Sequence, residues 1–354
     1  MLDRRSVLLA SLAAGVAMTS KAHARASQPA TPVNFDVPAD ACDCHTHIHG
    51  DPEKFPFFAG RVYTPELASP EEMAALHKAL HIERVVIVTP SVYGTDNSST
   101  LFGMKARGGT ARGVAVIDDK TTDAQLDAMQ QEGFRGIRIN LATGGISDPN
   151  VGRARFTAAV ERMKARGWHV QLYTTLPMIS AIKDLVLAAP VPAVFDHFGG
   201  LEASLGLEQP GFSDLVALVK SGKVYVKISG AYRSSKLAPD YQDMVPFARA
   251  LIEANPDRIV WGTDWPHPDS SHVEGRKPPT SRLSTRSMTA ACSTSFRCGH
   301  RMRMCAKRSW STIRGGSTDS ESRRPPAISA HDGRRRRSGP VRSPGSRPAP
   351  ASCR

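Results

Sequence analysis

From about residue 41 onward, short runs rich in β-branched and aliphatic residues alternate with longer segments whose apolar residues recur at helical spacing. That alternation is the pattern of strand–helix–strand units built on a parallel sheet. The runs at 41–48, 84–89, 111–118, 136–140, 169–174, 193–198, 224–229 and 258–263 predict eight strands. Helices are predicted over 70–80, 122–131, 153–166, 178–188, 212–220 and 241–253, the first opened by Ser69 at its N-cap and several closed by Gly or Asn. Eight parallel strands joined by crossovers of this length predict a (β/α)8 TIM barrel. An open doubly wound sheet would gather its polar residues at one switch in strand order, whereas here they recur after nearly every strand. No amphipathic helix follows the eighth run, so the ring is expected to lack its last helix.

Composition changes this picture at the two ends only. The chain has 354 residues, 40% of them hydrophobic and 22% charged, and no apolar run approaches the ~20 residues a membrane span requires. Its net charge of +13 is unevenly placed: residues 279–354 carry 17 Lys and Arg against 3 Asp and Glu, while residues 1–278 hold 29 against 30. The barrel is therefore near neutral. The arginine run at 334–337 has no interleaved aromatic residues for stacking on bases, so nucleic acid is not an expected partner.

The N-terminus reads as an export signal. Arg4 and Arg5 precede an apolar stretch over 7–18, and Ala22-His23-Ala24 supplies the small-x-small pattern that signal peptidase needs. The paired arginines resemble a twin-arginine signal, which hands folded proteins to the Tat export machinery. The expected organisation is a signal peptide over 1–24, a linker over 25–39, the barrel over 40–278 and a basic low-complexity tail over 279–354, with the mature protein in the periplasm. Cys42 and Cys44 are read as facing opposite sides of the first strand and are not expected to pair with each other.

Polar residues at the strand ends carry the candidate chemistry. The first strand ends Asp43-Cys44-His45-Thr46-His47, and the two-residue period places His45 and His47 on one side. Asp196-His197 closes the sixth strand, and Trp261-Gly262-Thr263-Asp264-Trp265-Pro266-His267 closes the eighth. Three histidines and a carboxylate can thus converge at the C-terminal face, as a shared metal or a shared substrate oxygen would require.

Taken in order, D-C-H-T-H, R-G-V-A-V-I-D, G-F-R-G-I-R-I-N, F-D-H-F-G-G and W-G-T-D-W-P-H-P resemble the amidohydrolase-related family, in the group of 2-pyrone-4,6-dicarboxylate, sugar-acid and muconolactone lactonases. The resemblance covers residues 40–278. It implies hydrolysis of a carboxylated lactone, with Asp264 as the base that deprotonates water. His45, His47 and His197 would either polarise the carbonyl directly or join Asp264 in holding one divalent metal, zinc first. The cofactor expectation is accordingly none or one divalent ion, and a two-metal site is not expected, because Arg138 and Tyr173 stand where the superfamily's further ligands often lie. Arg138 and Arg233 match arginines that grip substrate carboxylates, and Tyr63 and Tyr173 match tyrosines lining the pocket. The run His197-Phe198-Gly199-Gly200 lacks a family arginine, which implies fewer substrate carboxylates than a pyrone dicarboxylate carries. The competing functions are a metal-dependent decarboxylase of the same superfamily and a periplasmic binding protein impaired in catalysis.

The tail after Pro278 turns to Ser, Arg, Pro and Cys with no apolar period. Reading its codons one base out of frame forces Asp from Met288-Thr289 and Val from Met304-Cys305. With synonymous choices the shifted frame permits a helical segment over 280–320 that resembles the family's own C-terminus. A one-base deletion near Pro278 is the expected origin of the tail, and loss of the eighth helix its consequence.

Overall fold

The computed structural model describes residues 26–29 and 31–267. The export segment, the basic tail and the expected loss of the final helix lie outside the described residues. Within them, β1 (Cys42–Thr46), β2 (Arg84–Val88), β3 (Ala111–Ala115), β4 (Phe134–Asn140), β5 (His169–Tyr173), β6 (Ala193–Phe195), β7 (Val224–Ile228) and β8 (Ile259–Trp261) form one sheet. Every neighbouring pair is parallel and in sequence order. The ring is completed past the end of β8, where Asp264 N donates to His45 O (2.8 Å) and His47 N to Trp265 O (2.8 Å). The result is a nearly closed (β/α)8 barrel, as the alternation predicts.

Seven helices lie between the strands: α1 (Pro70–Ala79), α2 (Ser98–Arg107), α3 (Asp123–Glu132), α4 (Pro149–Met163), α5 (Leu176–Ala188), α6 (Phe212–Lys220) and α7 (Val245–Ala254). Their starts follow local chemistry. Ser69 and Glu72 form a reciprocal capping box on α1, Thr122 and Gln125 one on α3, and Asp148 caps α4 ahead of Pro149. Helix α2 is absent from the expected set, because Ser98, Ser99, Thr100 and Gly103 weaken its helical signal. Gly103 is needed for packing, since a Cβ there would lie 2.5 Å from Ile48.

The core has two layers. Val85, Ile87, Leu172 and Ile228 face the helices, whereas Cys42, Cys44, Val86, Val114, Val194, Tyr225 and Val260 meet inside the barrel. Cys42 and Cys44 form no disulfide with each other, and they share the inner face. This corrects the opposite-face reading, since residues two apart on a strand point the same way. A register shift in β1 between Asp43 and Thr46 then turns His45 inward as well. The segment expected as a linker is tied down at its start: Ala26 N donates to Glu72 Oε1 (3.1 Å) and Trp265 Nε1 to Ser27 O (2.9 Å).

Asp43 staples the first strand to the last. Its Oδ1 accepts from His45 N (3.1 Å) and Thr263 N (3.0 Å), while Oδ2 accepts from Thr263 Oγ1 (2.5 Å) and His77 Nε2 (3.2 Å), all of it buried. Removing the carboxylate strands several buried donors at the seam that closes the ring. Asp43→Ala is therefore expected to lower stability by about 3–5 kcal/mol, read from denaturant unfolding. A loss below about 1 kcal/mol would show that the seam is held by other contacts.

Candidate active site

Strand ends and the turns after them supply the site. His45 comes from β1 and His47 from just past its end, Arg138 from β4, Tyr173 from β5, Asp196 and His197 from just past β6, Arg233 from beyond β7, and Asp264 from beyond β8. Two of these residues hold left-handed backbone, His197 at φ 50° and Asp264 at φ 60°. That conformation disfavours L side chains and recurs at functional sites. Strands β6 and β8 end earlier than their apolar runs because the chain turns there to aim these two side chains. Gly230, also left-handed, makes room for them, since a Cβ on it would lie 2.9 Å from both Asp264 Oδ2 and His197 Nδ1.

All the residues expected at the site are brought close together. His45 Nε2 lies 3.3 Å from His47 Nε2. Asp264 Oδ1 lies 3.6 Å from each of these nitrogens and 3.9 Å from His197 Nε2. Both Asp264 Oδ1 and His197 Nε2 are buried and make no hydrogen bond among the described residues. The other oxygen, Asp264 Oδ2, accepts from Arg233 Nε (2.7 Å) and from the Tyr232 hydroxyl (2.7 Å). One edge of the carboxylate is therefore fixed, and the other faces three imidazoles. The Tyr173 ring stands edge-on to His197 at 5.2 Å and is flanked by the guanidiniums of Arg138 at 5.2 Å and Arg233 at 5.7 Å. Tyr63 is buried, bonds Ser91, and has its hydroxyl pKa pushed up to about 12 by burial against the opposing pull of Arg233.

Electrostatics set the charge states. Burial raises the Asp264 pKa, but Arg233 and His197 outweigh it and hold the carboxyl well below its usual range. Burial also holds His197 down to about 3, and burial with Lys227 depresses His45 well below its ordinary value. At neutral pH the site thus presents an ionised Asp264 and neutral His45 and His197.

A polar layer lies beneath these groups, and only part of it was expected. Arg138 donates through Nε to Asp196 Oδ2 (2.9 Å) rather than standing free for substrate, which leaves its two terminal NH2 groups for a ligand. Arg233 likewise bonds Asp264 rather than a substrate carboxylate alone. Lys227 and Gln171, absent from the expected set, complete the layer. Lys227 Nζ donates to Gln171 Oε1 (2.7 Å) and His45 Nδ1 (3.1 Å) and lies 3.4 Å from Asp196 Oδ1, while Gln171 Nε2 donates to Asp196 Oδ2 (3.0 Å). The signal for both was a polar residue inside a strand that is otherwise buried along its length, VYVKI and HVQLY. Tyr232 was missed beside Arg233.

Two groups of side chains are close enough to share one divalent ion, His45–His47–Asp264 and His45–Asp196–His197, with ligand atoms in each within 4.8 Å of one another. Neither offers a full set of lone pairs as arranged. In the second, Lys227 Nζ already sits against His45 Nδ1 and Asp196 Oδ1. In the first, a His45 that accepts at Nδ1 carries its proton on Nε2, where the metal would need the lone pair. With His45 accepting from Lys227, the donor set would fit an ion only after His45 changed tautomer.

Comparison with known proteins matches this architecture. The Amidohydrolase family model matches residues 42–280. The 4-sulfomuconolactone hydrolase of Hydrogenophaga intermedia is 36% identical over 248 residues, spanning 70% of this chain and 81% of that protein. The 2-pyrone-4,6-dicarboxylate hydrolase of Comamonas testosteroni is 33% identical over 252 residues, spanning 69% and 82%. A crystal structure of an Agrobacterium tumefaciens protein superposes with a TM-score of 0.66 at 25% identity, over 80% of this chain and 98% of that one. The chain belongs to the amidohydrolase family, among hydrolases whose relatives open lactones.

Proposed function

We propose that the protein hydrolyses the ring ester of a carboxylated lactone, with Asp264 taking the proton from the attacking water. The observation that carries this reading is the divided carboxylate: Oδ2 is tied to Arg233 and Tyr232, while the buried Oδ1 lies 3.6–3.9 Å from three imidazole nitrogens without a short hydrogen bond to any of them. A water held by Oδ1 sits beside any carbonyl that reaches those imidazoles. His45, through an Nε2–H, polarises that carbonyl and stabilises the developing oxyanion, with His197 beside it. The tetrahedral intermediate collapses by breaking the ring C–O bond, and the proton held by Asp264 goes to the leaving oxygen. No step passes through a metal ion, because His45 as held by Lys227 does not present a lone pair to one.

An anionic substrate is supported by charge. Lys227 and Arg138 are buried, and Arg233 is partly buried, in the barrel mouth and the layer beneath it against two carboxylates, Asp196 and Asp264. The uncompensated positive charge is offset by a substrate carboxylate, which the free NH2 edge of Arg138 is placed to bind. Arg138→Met is expected to raise KM for a carboxylated lactone about 10²-fold, and far less for a neutral one, since a charge-assisted pair contributes roughly 1.5–3 kcal/mol. Equal KM changes for both substrates would remove the carboxylate from the proposal.

The relatives' names point to the compounds to try first, 4-sulfomuconolactone and 2-pyrone-4,6-dicarboxylate. We further propose that the enzyme works in the periplasm after Tat export, on the strength of Arg4-Arg5 and the apolar stretch behind them. Replacing both arginines with lysine should retain the protein inside the cell. Periplasmic recovery of that variant would contradict the Tat route.

A further inference from the structure

Lys227 is the one buried lysine among the described residues, 3% exposed in the middle of β7, and the hydrolysis outlined above gives it no contact with substrate. An ammonium has three N–H donors and no lone pair. Its ammonium donates to Gln171 Oε1 (2.7 Å), lies beside His45 Nδ1 (3.1 Å) and forms an ion pair with Asp196 Oδ1 at 3.4 Å. The Gln171 amide is oriented unambiguously, because its Nε2 donates to Asp196 Oδ2. His45 Nδ1 is therefore the acceptor of a lysine proton, and a neutral imidazole that accepts at Nδ1 carries its own hydrogen on Nε2. The next ring agrees. His47 donates from Nδ1 to Val88 O at 2.7 Å, which leaves its Nε2 as the acceptor for His45 Nε2–H at 3.3 Å.

We propose that Lys227 is a positioning residue that locks His45 in the tautomer protonated on Nε2, so that the site offers an N–H to a substrate oxygen in place of a lone pair to a divalent cation. The opposite tautomer has a partner waiting, since Asp196 Oδ1 lies 3.2 Å from His45 Nδ1. Without the lysine, His45 donates from Nδ1 to Asp196, and its Nε2 lone pair joins His47 and Asp264 as a metal ligand. One buried side chain thus decides between two chemistries on the same strand ends. The catalytic arm of this inference rests on the lactone-hydrolase proposal; the tautomer and metal arms do not.

The test uses the full chain labelled with nitrogen-15 histidine, in which long-range nitrogen–proton correlations distinguish the two tautomers. The His45 signals are those lost in His45→Gln. The wild-type ring should show the Nε2-protonated pattern, and Lys227→Met the Nδ1-protonated one. The same variant should bind zinc at least ~10-fold more tightly than wild type by calorimetry, and lose about 10²-fold in kcat with KM nearly unchanged. If the methionine variant fails to fold, Lys227→Ala in ethylammonium provides a second arm. The cavity lined by Cys44, Val86, His169, Val194 and Tyr225 reaches Lys227 and can admit the amine. Ethylammonium should restore the Nε2-protonated pattern. A wild-type His45 protonated on Nδ1 would overturn the proposal without any variant. So would a Lys227→Met protein that keeps the Nε2 pattern, or one that loses activity with no change of tautomer. If the tautomer and zinc results hold but no lactone is opened by either protein, the lock stands and the lactone-hydrolase proposal falls.

Discussion

Asp264→Asn is expected to lower kcat by about 10³-fold or more while the protein remains folded. The amide keeps an oxygen for the Arg233 Nε and Tyr232 hydroxyl bonds that now hold Oδ2. Its NH2 group then points where Oδ1 meets His45, His47 and His197. That edge changes from an acceptor able to take a proton into a donor, so the attacking water loses both its base and its orientation. Binding should suffer less than turnover, because the cations that attract the substrate carboxylate remain. Steady-state kinetics separate the two, and thermal unfolding checks the fold, which is expected to lose a few kcal/mol at most through the weakened Arg233 pair. Retention of more than about a tenth of wild-type kcat would show that another group activates the water.

We propose that a one-base deletion near residue 278 produced the basic tail, and on that proposal inserting one base there is expected to have the largest effect on stability. The family match ends at residue 280, close to where the basic tail begins. A TIM barrel needs its eighth helix to cover the seam between the last and first strands. An amphipathic helix burying a few hundred Å2 of apolar surface contributes several kcal/mol at ~25 cal/mol per Å2, against a total of only ~5–15 kcal/mol for a domain. We expect one inserted base to raise the soluble yield and to move the thermal midpoint upward by ten degrees or more, on the order of what several kcal/mol give a domain of this size. An unchanged midpoint would mean that the present tail meets the barrel's needs and that no frame was lost.

The barrel was legible because most strands are compact runs of β-branched and aliphatic residues and because α1, α3 and α4 carry capping side chains. Helix α2 was not, since a helix interrupted by Gly103 and begun with Ser98-Ser99-Thr100 is held by packing against Ile48 and Ile87, which local propensity does not encode. The candidate site residues were legible from their position at strand ends and from the family pattern. What hid was the support beneath them. Lys227 and Gln171 lie within strands, and only the closed ring shows that β7 aims Lys227 at a histidine of β1 while Gln171 of β5 bonds Lys227. Arg138 and Arg233 were read as substrate ligands, but the sequence could not show that Asp196 and Asp264 hold their Nε groups. The function of these arginines depends on distances across the barrel, which chain order does not contain.

The proposed reaction has water activated at Asp264 open a carboxylated lactone without metal chemistry. The most direct measurement is mass spectrometry of the product formed in oxygen-18 water, with and without a chelator, using the present chain and its frame-restored form. The expected product is a ring-opened acid carrying one oxygen-18 in the new carboxylate, formed at a rate the chelator does not change. Release of carbon dioxide, or activity that disappears with the chelator and returns with zinc, would contradict it and favour a metal-dependent decarboxylase or hydrolase on the same barrel.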